Sequence, residues 1–349
     1  MKNFKEIFLI SLLTLLLGAC SATNRLTMGA IEPAQVHLSS EITKVGILNR
    51  SVPSAGNEAI DKIDKVLSLE GLNLDREGAE AAVTGLSDEL SRDDRFEAVK
   101  LIDAQDAQKK GLGVFPAALS WADVEEICRE NEVDVLFSLE FYDTDTKVAY
   151  ETTMVTIPNN LGINAKIPGH KVTLNTAIKN GWRIYDPVSK LLLDEFVGND
   201  YITSVGEGIN PVKAIEAVVG RKEAVLQVSS NIGNSYGLII KPLRKRIARD
   251  YFVSGTDNFV MAKRRAQTGD WDGAAQLWEQ ELNNPKGKIA GRACYNMAII
   301  SEINGELEKA LDWASKSYAD YNNKEALRYI NLLNRRLAEN RELERQLAR

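Results

Sequence analysis

Histidine and cysteine are scarce in this 349-residue chain, which has two of the first and three of the second. His37 and His170 stand far apart, one in a polar leader and one in a loop, so neither a Ser-His-Asp nor a Cys-His nucleophilic set can be assembled. Cys20, Cys128 and Cys294 form no CxxC pair, so no zinc or redox motif is signalled, and no metal or cofactor site is expected. Cys128 and Cys294 read as small buried thiols on helices; an oxidising compartment permits a disulfide between them, but spacing does not decide it. A strong charge bias is also missing. With 43 basic against 49 acidic side chains the net charge is −6, too mild to suggest general nucleic-acid binding. Finally, no apolar run is long. The longest, residues 7–17, is about half of the ~20 residues a membrane-crossing helix needs, so it reads as the h-region of a signal peptide. What remains is 44% hydrophobic and 26% charged, the balance of a chain that buries ordinary globular cores, and its length suits two domains.

Lys2 and Lys5 precede that run, and Gly18 and Ala19 lead from it into Cys20. The segment "LLGAC" resembles the lipobox of bacterial lipoproteins. That resemblance implies cleavage before Cys20 and acylation of its thiol and new amino terminus, an anchor of several acyl chains where one alone would be marginal. Ser21 stands where an inner-membrane retention signal places aspartate, which favours the outer membrane. "SATNRLT" has no acidic run of the kind that directs surface export, which favours the periplasmic face.

Beyond the signal segment (1–19), residues 20–40 read as a polar tether, 41–250 as an α/β domain with a mixed sheet and flanking helices, and 251–349 as an all-α domain of tetratricopeptide-like repeats. "KVGILNR" (44–50) and "FEAVKLI" (96–102) read as short strands separated by a helix with apolar faces at Ile60, Ile63 and Leu67, then Ala79, Val83, Leu86 and Leu90. Ser120 and Asp123 form a capping-box pattern before a helix that buries Trp121, Val124, Ile127 and Cys128. "VDVLFSLEF" (133–141) is a near-continuous apolar run, expected as a central strand covered on both faces. Period-two alternation in "KVAYETTMVTI" (147–157) and "KVTLNTAIKNGWRIY" (171–185), followed by "KLLLDEFVG" (190–198), extends the sheet with antiparallel neighbours. Asn210 as N-cap and Pro211 as first residue open a helix with a stripe at Ile215, Val218, Val219 and Leu226. This order of elements resembles the amino-terminal domains of the curli secretion lipoprotein, the TolB translocation protein and lipoprotein activators of penicillin-binding proteins.

Two stretches further on are internally similar: Gly269 aligns with Gly305, Ala262 with Ala298 and Ala274 with Ala310. They resemble divergent tetratricopeptide repeats, with small residues where paired helices approach and glycine at each turn. Leu327, Ile330, Leu333 and Leu337 form the stripe expected of a capping helix, and the charged tail after it is expected to fray. From "VGILNRS" through "GWRIYDP" to "YNMAIISEINGELEKALDWASKSY", the chain resembles an uncharacterised family of Bacteroidota lipoproteins carrying a domain of unknown function. The resemblance implies no catalytic residue.

Five candidate sites follow. Glu140, Asp143 and Asp145 sit at the expected end of the central strand, where α/β proteins bind ligands; carboxylates there suit a cation or acid-base work, or else a plain hairpin turn. "VGEGINP" (205–211) has glycines before a helix start, suiting an anion or a simple left-handed turn. Lys241, Arg244, Lys245, Arg246 and Arg249 suit anionic lipid or an acidic protein, or form a solvated helix face. Thr153, Asn175 and Lys179 would line a lumen if the long alternating strands inserted as a hairpin of a pore or export subunit. The inner face of the repeats is expected at Phe259, Lys263 and Gln267, then Arg292, Tyr295, Ile299 and Glu302, an aromatic and charged lining that suits an extended peptide unless another part of the chain fills it. The leading expectation is a lipid-anchored, non-catalytic adaptor that docks a protein partner in this groove.

Overall fold

The computed structural model describes residues 22–51, 62–103, 115–158, 164–218 and 220–348; the signal segment, Cys20, Val219 and the apolar face expected at Ile60, Ile63 and Leu67 lie outside the described backbone or side chains. The elements run β1 (Thr23–Glu32), β2 (Lys44–Asn49), α1 (Lys62–Leu90), β3 (Ala98–Ile102), α2 (Trp121–Asn131), β4 (Val135–Pro158), β5 (Asn164–Asp186), β6 (Leu191–Gly208), α3 (Pro211–Glu216) and α4 (Arg221–Gly237). After them come β7 (Leu243–Phe252), α5 (Asp257–Gln267), α6 (Trp271–Glu279), α7 (Gly287–Ile303), α8 (Leu307–Ala319) and α9 (Lys324–Leu347). They form two compact units: residues 34–241, and a second that joins the chain before Ala34 to the chain after Lys241.

The first unit is built on a mixed five-stranded sheet of order β3-β2-β4-β5-β6, with β2 parallel to β3 and β4 and the remaining pairs antiparallel. Its apolar residues explain the layers. Val135, Phe137 and Leu139 join Leu86 of α1 and Val225 of α4 in one core, while Leu136 joins Val124 and Cys128 of α2 in another. The run at 133–141 is therefore covered on both faces, as its unbroken apolarity predicts. Both helix starts read from sequence are present: the Ser120 side chain accepts from the Asp123 N–H, and Asn210 accepts from the Lys213 N–H. Cys128 and Cys294 are buried, free thiols, and burial pushes Cys128 up to about 12.

Three local expectations are corrected here. No turn separates 133–141 from 147–157: residues 135–158 form the single 24-residue strand β4, because β5 supplies a ladder partner along its length, so Asp143 and Asp145 lie within a strand. The helix begun at Asn210 is interrupted at Gly220, whose φ of 77° lies in the left-handed region; Ala214 and Val225, not Ile215 and Leu226, are the fully buried positions. Gly206 and Gly208 form neither a left-handed turn nor an anion cradle. They lie in β6, where a Cβ at Gly206 would stand 2.1 Å from the Ala214 carbonyl oxygen, so their small size lets α3 rest directly on the strand.

The second unit corrects the domain boundaries. Residues 23–32 are strand β1 and not tether, and "KPLRKRIARD" enters strand β7 and not a helix face; the two pair antiparallel from Thr23–Phe252 to Glu32–Leu243. Each satisfies the other's backbone and each turns alternate residues, Leu26 on one and Tyr251 on the other, into the helical core. α5 with α6 and α7 with α8 are helical hairpins, with Gly269 (φ 84°) and Gly305 (φ 81°) at their turns. Ala262, Ala274, Ala298 and Ala310 are all fully buried, as close helix approach requires. In α9 the buried stripe is Ala326, Tyr329, Leu333 and Leu337, with Leu327 exposed. The charged tail stays helical to Leu347, supported by Leu343, which is buried, and by pairs such as Arg345–Glu342.

Candidate functional site

Glu140 is the extra residue of a β-bulge: Leu139 pairs with Trp182 and Phe141 with Gly181, leaving Glu140 without a partner in the register. A bulge re-aims side chains. Here it sends the Glu140 carboxylate into the interior, where it ion-pairs with the Arg50 guanidinium, accepts a 2.6 Å hydrogen bond from the Tyr185 hydroxyl and lies 3.5 Å from Arg183 Nη1. Arg183 also binds Glu195 (2.8 Å) and the Pro116 carbonyl (2.8 Å), and stacks over the Phe115 ring at 4.1 Å. Burial, then the Glu140 carboxylate, pushes the Tyr185 hydroxyl up to about 12. Glu140, Arg50 and Arg183 are each 5% exposed or less, so a substrate has no approach and the constellation is a closed ionic brace.

Asp143 and Asp145 do not join it. Asp145 is exposed. A second buried carboxylate packs against this strand from α1: Asp75, 5% exposed, accepts from the Thr144 N–H at 2.8 Å and from the Thr144 hydroxyl. Burial raises Asp75 to about 6 from 3.8, against the lowering effect of the Thr144 hydrogen bonds. The folded state thus holds this proton more tightly than the unfolded chain. The stabilisation is fully present below pH 3.8 and is lost as pH rises through about 6. Asp75 is expected to remove about 3 kcal/mol of stability across that window at ~1.4 kcal/mol per unit. Urea melts from pH 4 to 7 should show the decline in wild type and a flatter profile in Asp75→Asn; equal profiles would refute the assignment.

The inner face of the helical hairpins is where sequence placed a peptide groove, and strand β7 already fills it. Of the seven residues named for it, Phe259, Tyr295, Ile299 and Glu302 are buried, Lys263 and Arg292 are half-buried and Gln267 is exposed. Tyr251 sits between Trp271 (5.5 Å) and Trp278 (5.8 Å), and Phe252 meets Tyr295 edge-on at 5.2 Å. Arg292 donates to the Ser254 carbonyl and stacks on Phe252. Arg249 forms a two-pronged pair with Glu302 (2.7 and 2.8 Å), which also accepts from Tyr329 at 2.6 Å. Asn296, not singled out by sequence, accepts from the Phe252 N–H at 2.8 Å and donates to the Phe252 carbonyl at 2.7 Å. An amide that reads both backbone groups of one residue in an extended segment is peptide recognition, directed here at the chain's own strand.

The remaining open structure lies along β4–β5–β6. Among the described residues, β4 beyond Leu139 pairs with β5 alone and β6 is the terminal strand of the sheet, so each has a flank of backbone without a ladder partner. Large exposed apolar residues gather here: Tyr150 and Met154 on β4, and Phe196, Val197, Tyr201 and Val205 on β6. Thr153, Asn175 and Lys179 do share one face, by register, with Asn175 accepting from Thr203. The opposite face is covered by α3 at Val172 and Leu174 and carries the buried Arg221 hydrogen-bonded to Thr146 and Thr176. By register the same face also carries Val148, Tyr150 and Met154, which are exposed, so α3 encloses its apolar residues only in part. Of the basic run, Arg249 is buried in its pair, Lys241 binds Glu89 (2.9 Å) and Lys245 binds Glu32 (2.9 Å). No described helix is long and apolar enough to cross a membrane, and no cluster of His, Cys, Asp and Glu among the described residues could hold a metal ion.

Comparison with known proteins adds family membership and little else. No curated protein matches the chain. Among solved structures, the PelC dodecamer from Paraburkholderia phytofirmans is similar at 9% identity and a TM-score of 0.24, over 60% of this chain and 96% of that one. A neuraminyllactose-binding hemagglutinin homolog from Helicobacter pylori is similar at 13% identity and a TM-score of 0.28, over 57% of this chain and 83% of that one. Likeness at that level carries no functional argument. Residues 260–335 match the family model described as Domain of unknown function (DUF6340). Residues 42–252, the sheet with its helices and the strand that returns to the helical unit, match the model described as Domain of unknown function (DUF8603), and the chain belongs to that family.

Proposed function

We propose that the protein is a non-catalytic adaptor of the cell envelope, anchored to the periplasmic face of the outer membrane through acylated Cys20, that takes an extended segment of a protein partner on the open edge of β6. The observation that carries this reading is the edge itself. It is an 18-residue strand whose outer flank is unpaired among the described residues, with Val197, Tyr201 and Val205 exposed and the acidic Glu195 and Glu207 on the same face by register, and no basic residue in the strand. Open edges accept a further strand through backbone hydrogen bonds, with alternate side chains supplying selectivity, so the partner segment is extended, basic and apolar at alternate positions. The closed state of both buried ionic clusters supports a binding role over a chemical one.

The anchor rests on "LLGAC" and lies close in sequence to β1. Only Ser21 and Ala22 separate Cys20 from β1, a reach of roughly 10 Å at ~3.5 Å per residue. The tetratricopeptide-like hairpins then serve as the mount for β1 and β7, and the DUF8603 sheet between those strands in sequence is the part offered to a partner.

Two measurements test this. Cys20→Ser should move the protein from the membrane to the soluble fraction; unchanged fractionation refutes the anchor. A photo-crosslinking residue at Tyr201 in cells should trap a discrete product whose peptide map is one contiguous basic segment, and Val205→Lys should abolish it. Crosslinks scattered over many proteins, or a product indifferent to Val205→Lys, would refute the docking edge.

A further inference from the structure

A cavity of about 410 Å³ opens between β6 and α4, within the first unit, and neither the brace nor the docking edge uses it. Its walls are formed in part by Asn180, Asp194, Phe196, Asp200, Ser235 and Tyr236. The register explains why there is space: Gly198 stands opposite Asn180, and a side chain there would run into both Asn180 amide atoms at 3.0 Å.

The polar groups on the wall are unevenly satisfied. Asn180 is 0% exposed, and its Oδ1 accepts from the Trp182 indole N–H at 2.9 Å. Since an indole can only donate, that bond settles which end of the amide is oxygen. The other end, Nδ2, is buried with no acceptor among the described residues. A buried donor left unmet costs about 1–3 kcal/mol, a deficit that a ligand oxygen would remove. Asp194 accepts from the Tyr236 hydroxyl at 2.9 Å through one oxygen, and Asp200 adds a second carboxylate, with no basic side chain among the lining residues. Burial raises the Asp194 carboxyl above its usual range, as expected for an acid without a neighbouring cation. Above them Phe196 is 47% exposed, beside Tyr236 and stacked on it at 6.1 Å.

We propose that this cavity binds a saccharide unit, a ring with adjacent hydroxyls and an apolar C–H face. Each wall group selects that chemistry. The Asn180 amide needs an acceptor, while the two carboxylates need donors, and a hydroxyl supplies both. An ammonium or guanidinium group has donors alone and would leave the amide unmet. The C–H face of the ring rests on the exposed side of Phe196, and the volume falls in the ~300–1,000 Å³ range of small-ligand pockets. The inference is independent of the docking edge, which uses the backbone flank of β6 and not the space beneath it.

Saturation-transfer difference NMR on the full-length protein in detergent tests this with methyl β-glucoside, methyl β-galactoside and N-acetylglucosamine, and with 1,5-diaminopentane as a cationic control. At least one saccharide should receive transfer at its ring protons. Asn180→Asp keeps the acceptor for Trp182 while removing the orphan donor, and should weaken binding about tenfold or more. The half-exposed Asp200→Asn should do the same with an unchanged melting temperature, which separates ligand loss from misfolding. Absence of transfer from all three sugars, transfer indifferent to both substitutions, or transfer from the diamine alone overturns the proposal.

Discussion

Glu140→Ala is expected to destabilise the sheet unit by about 3–5 kcal/mol, the cost of removing one partner from a buried ion pair and leaving its counter-charges behind. The effect is large because three groups depend on this carboxylate: Arg50 and Arg183, both nearly inaccessible, and the Tyr185 hydroxyl that donates to it. Glu140→Gln should cost less, since the amide oxygen can still accept from Tyr185. The informative comparison is a double variant. Replacing Arg50 and Glu140 together with leucine should restore part of the loss, because a matched apolar pair leaves no uncompensated charge at Arg50, and Arg183 retains Glu195 at 2.8 Å. Chemical denaturation of the four proteins measures this. Equal stability of Glu140→Ala and wild type would show that the brace is not structural.

Glu140 also marks the limit of what could be read beforehand. Its position in a buried run was legible, because the apolar letters on either side are local. The bulge was not, since an extra residue in one strand is defined only against its partner, and Trp182 and Gly181 lie some forty positions away in sequence. The same division holds elsewhere. Ser120 and Asn210 were legible as caps because a cap is a bond to a residue three positions on. The alternation in β5 was legible because period two is visible within one segment. The pairing of β1 with β7 was not, because Asn24 and Tyr251 are 227 positions apart and each strand alone is short, polar on one side and flanked by charges. Read singly, one became a tether and the other a basic helix. The groove expectation then failed for the same reason: Phe259, Tyr295, Ile299 and Glu302 were correctly placed on the inner face, and the strand that covers them was the one long-range partner left unseen. The cavity under β6 was invisible too, since Asn180, Gly198 and Ser235 come from three elements that only the fold brings together.

Glu302→Ala is expected to have an effect of similar size, about 3–5 kcal/mol by the same argument, in the helical unit and with a different consequence. The carboxylate holds Arg249 of β7 through two hydrogen bonds and accepts from Tyr329 of α9, so its loss strands an arginine that is 8% exposed and leaves the tyrosine hydroxyl without its acceptor. β7 is held in the groove by two kinds of bond, this charged clasp and the Asn296 amide on the Phe252 backbone. Asn296→Leu removes the second alone and should cost about 2–6 kcal/mol, since two buried backbone groups lose their partners at ~1–3 kcal/mol each. If the strand is a bound peptide in effect, both substitutions should loosen the same short segment before the helices unfold. Hydrogen exchange should then accelerate at Phe252 and its neighbours in β1 and β7 under conditions where α7 and α8 remain protected. Uniform acceleration across α5 to α9, with no preference for the strand pair, would mean that β7 is simply one more layer of a single cooperative core.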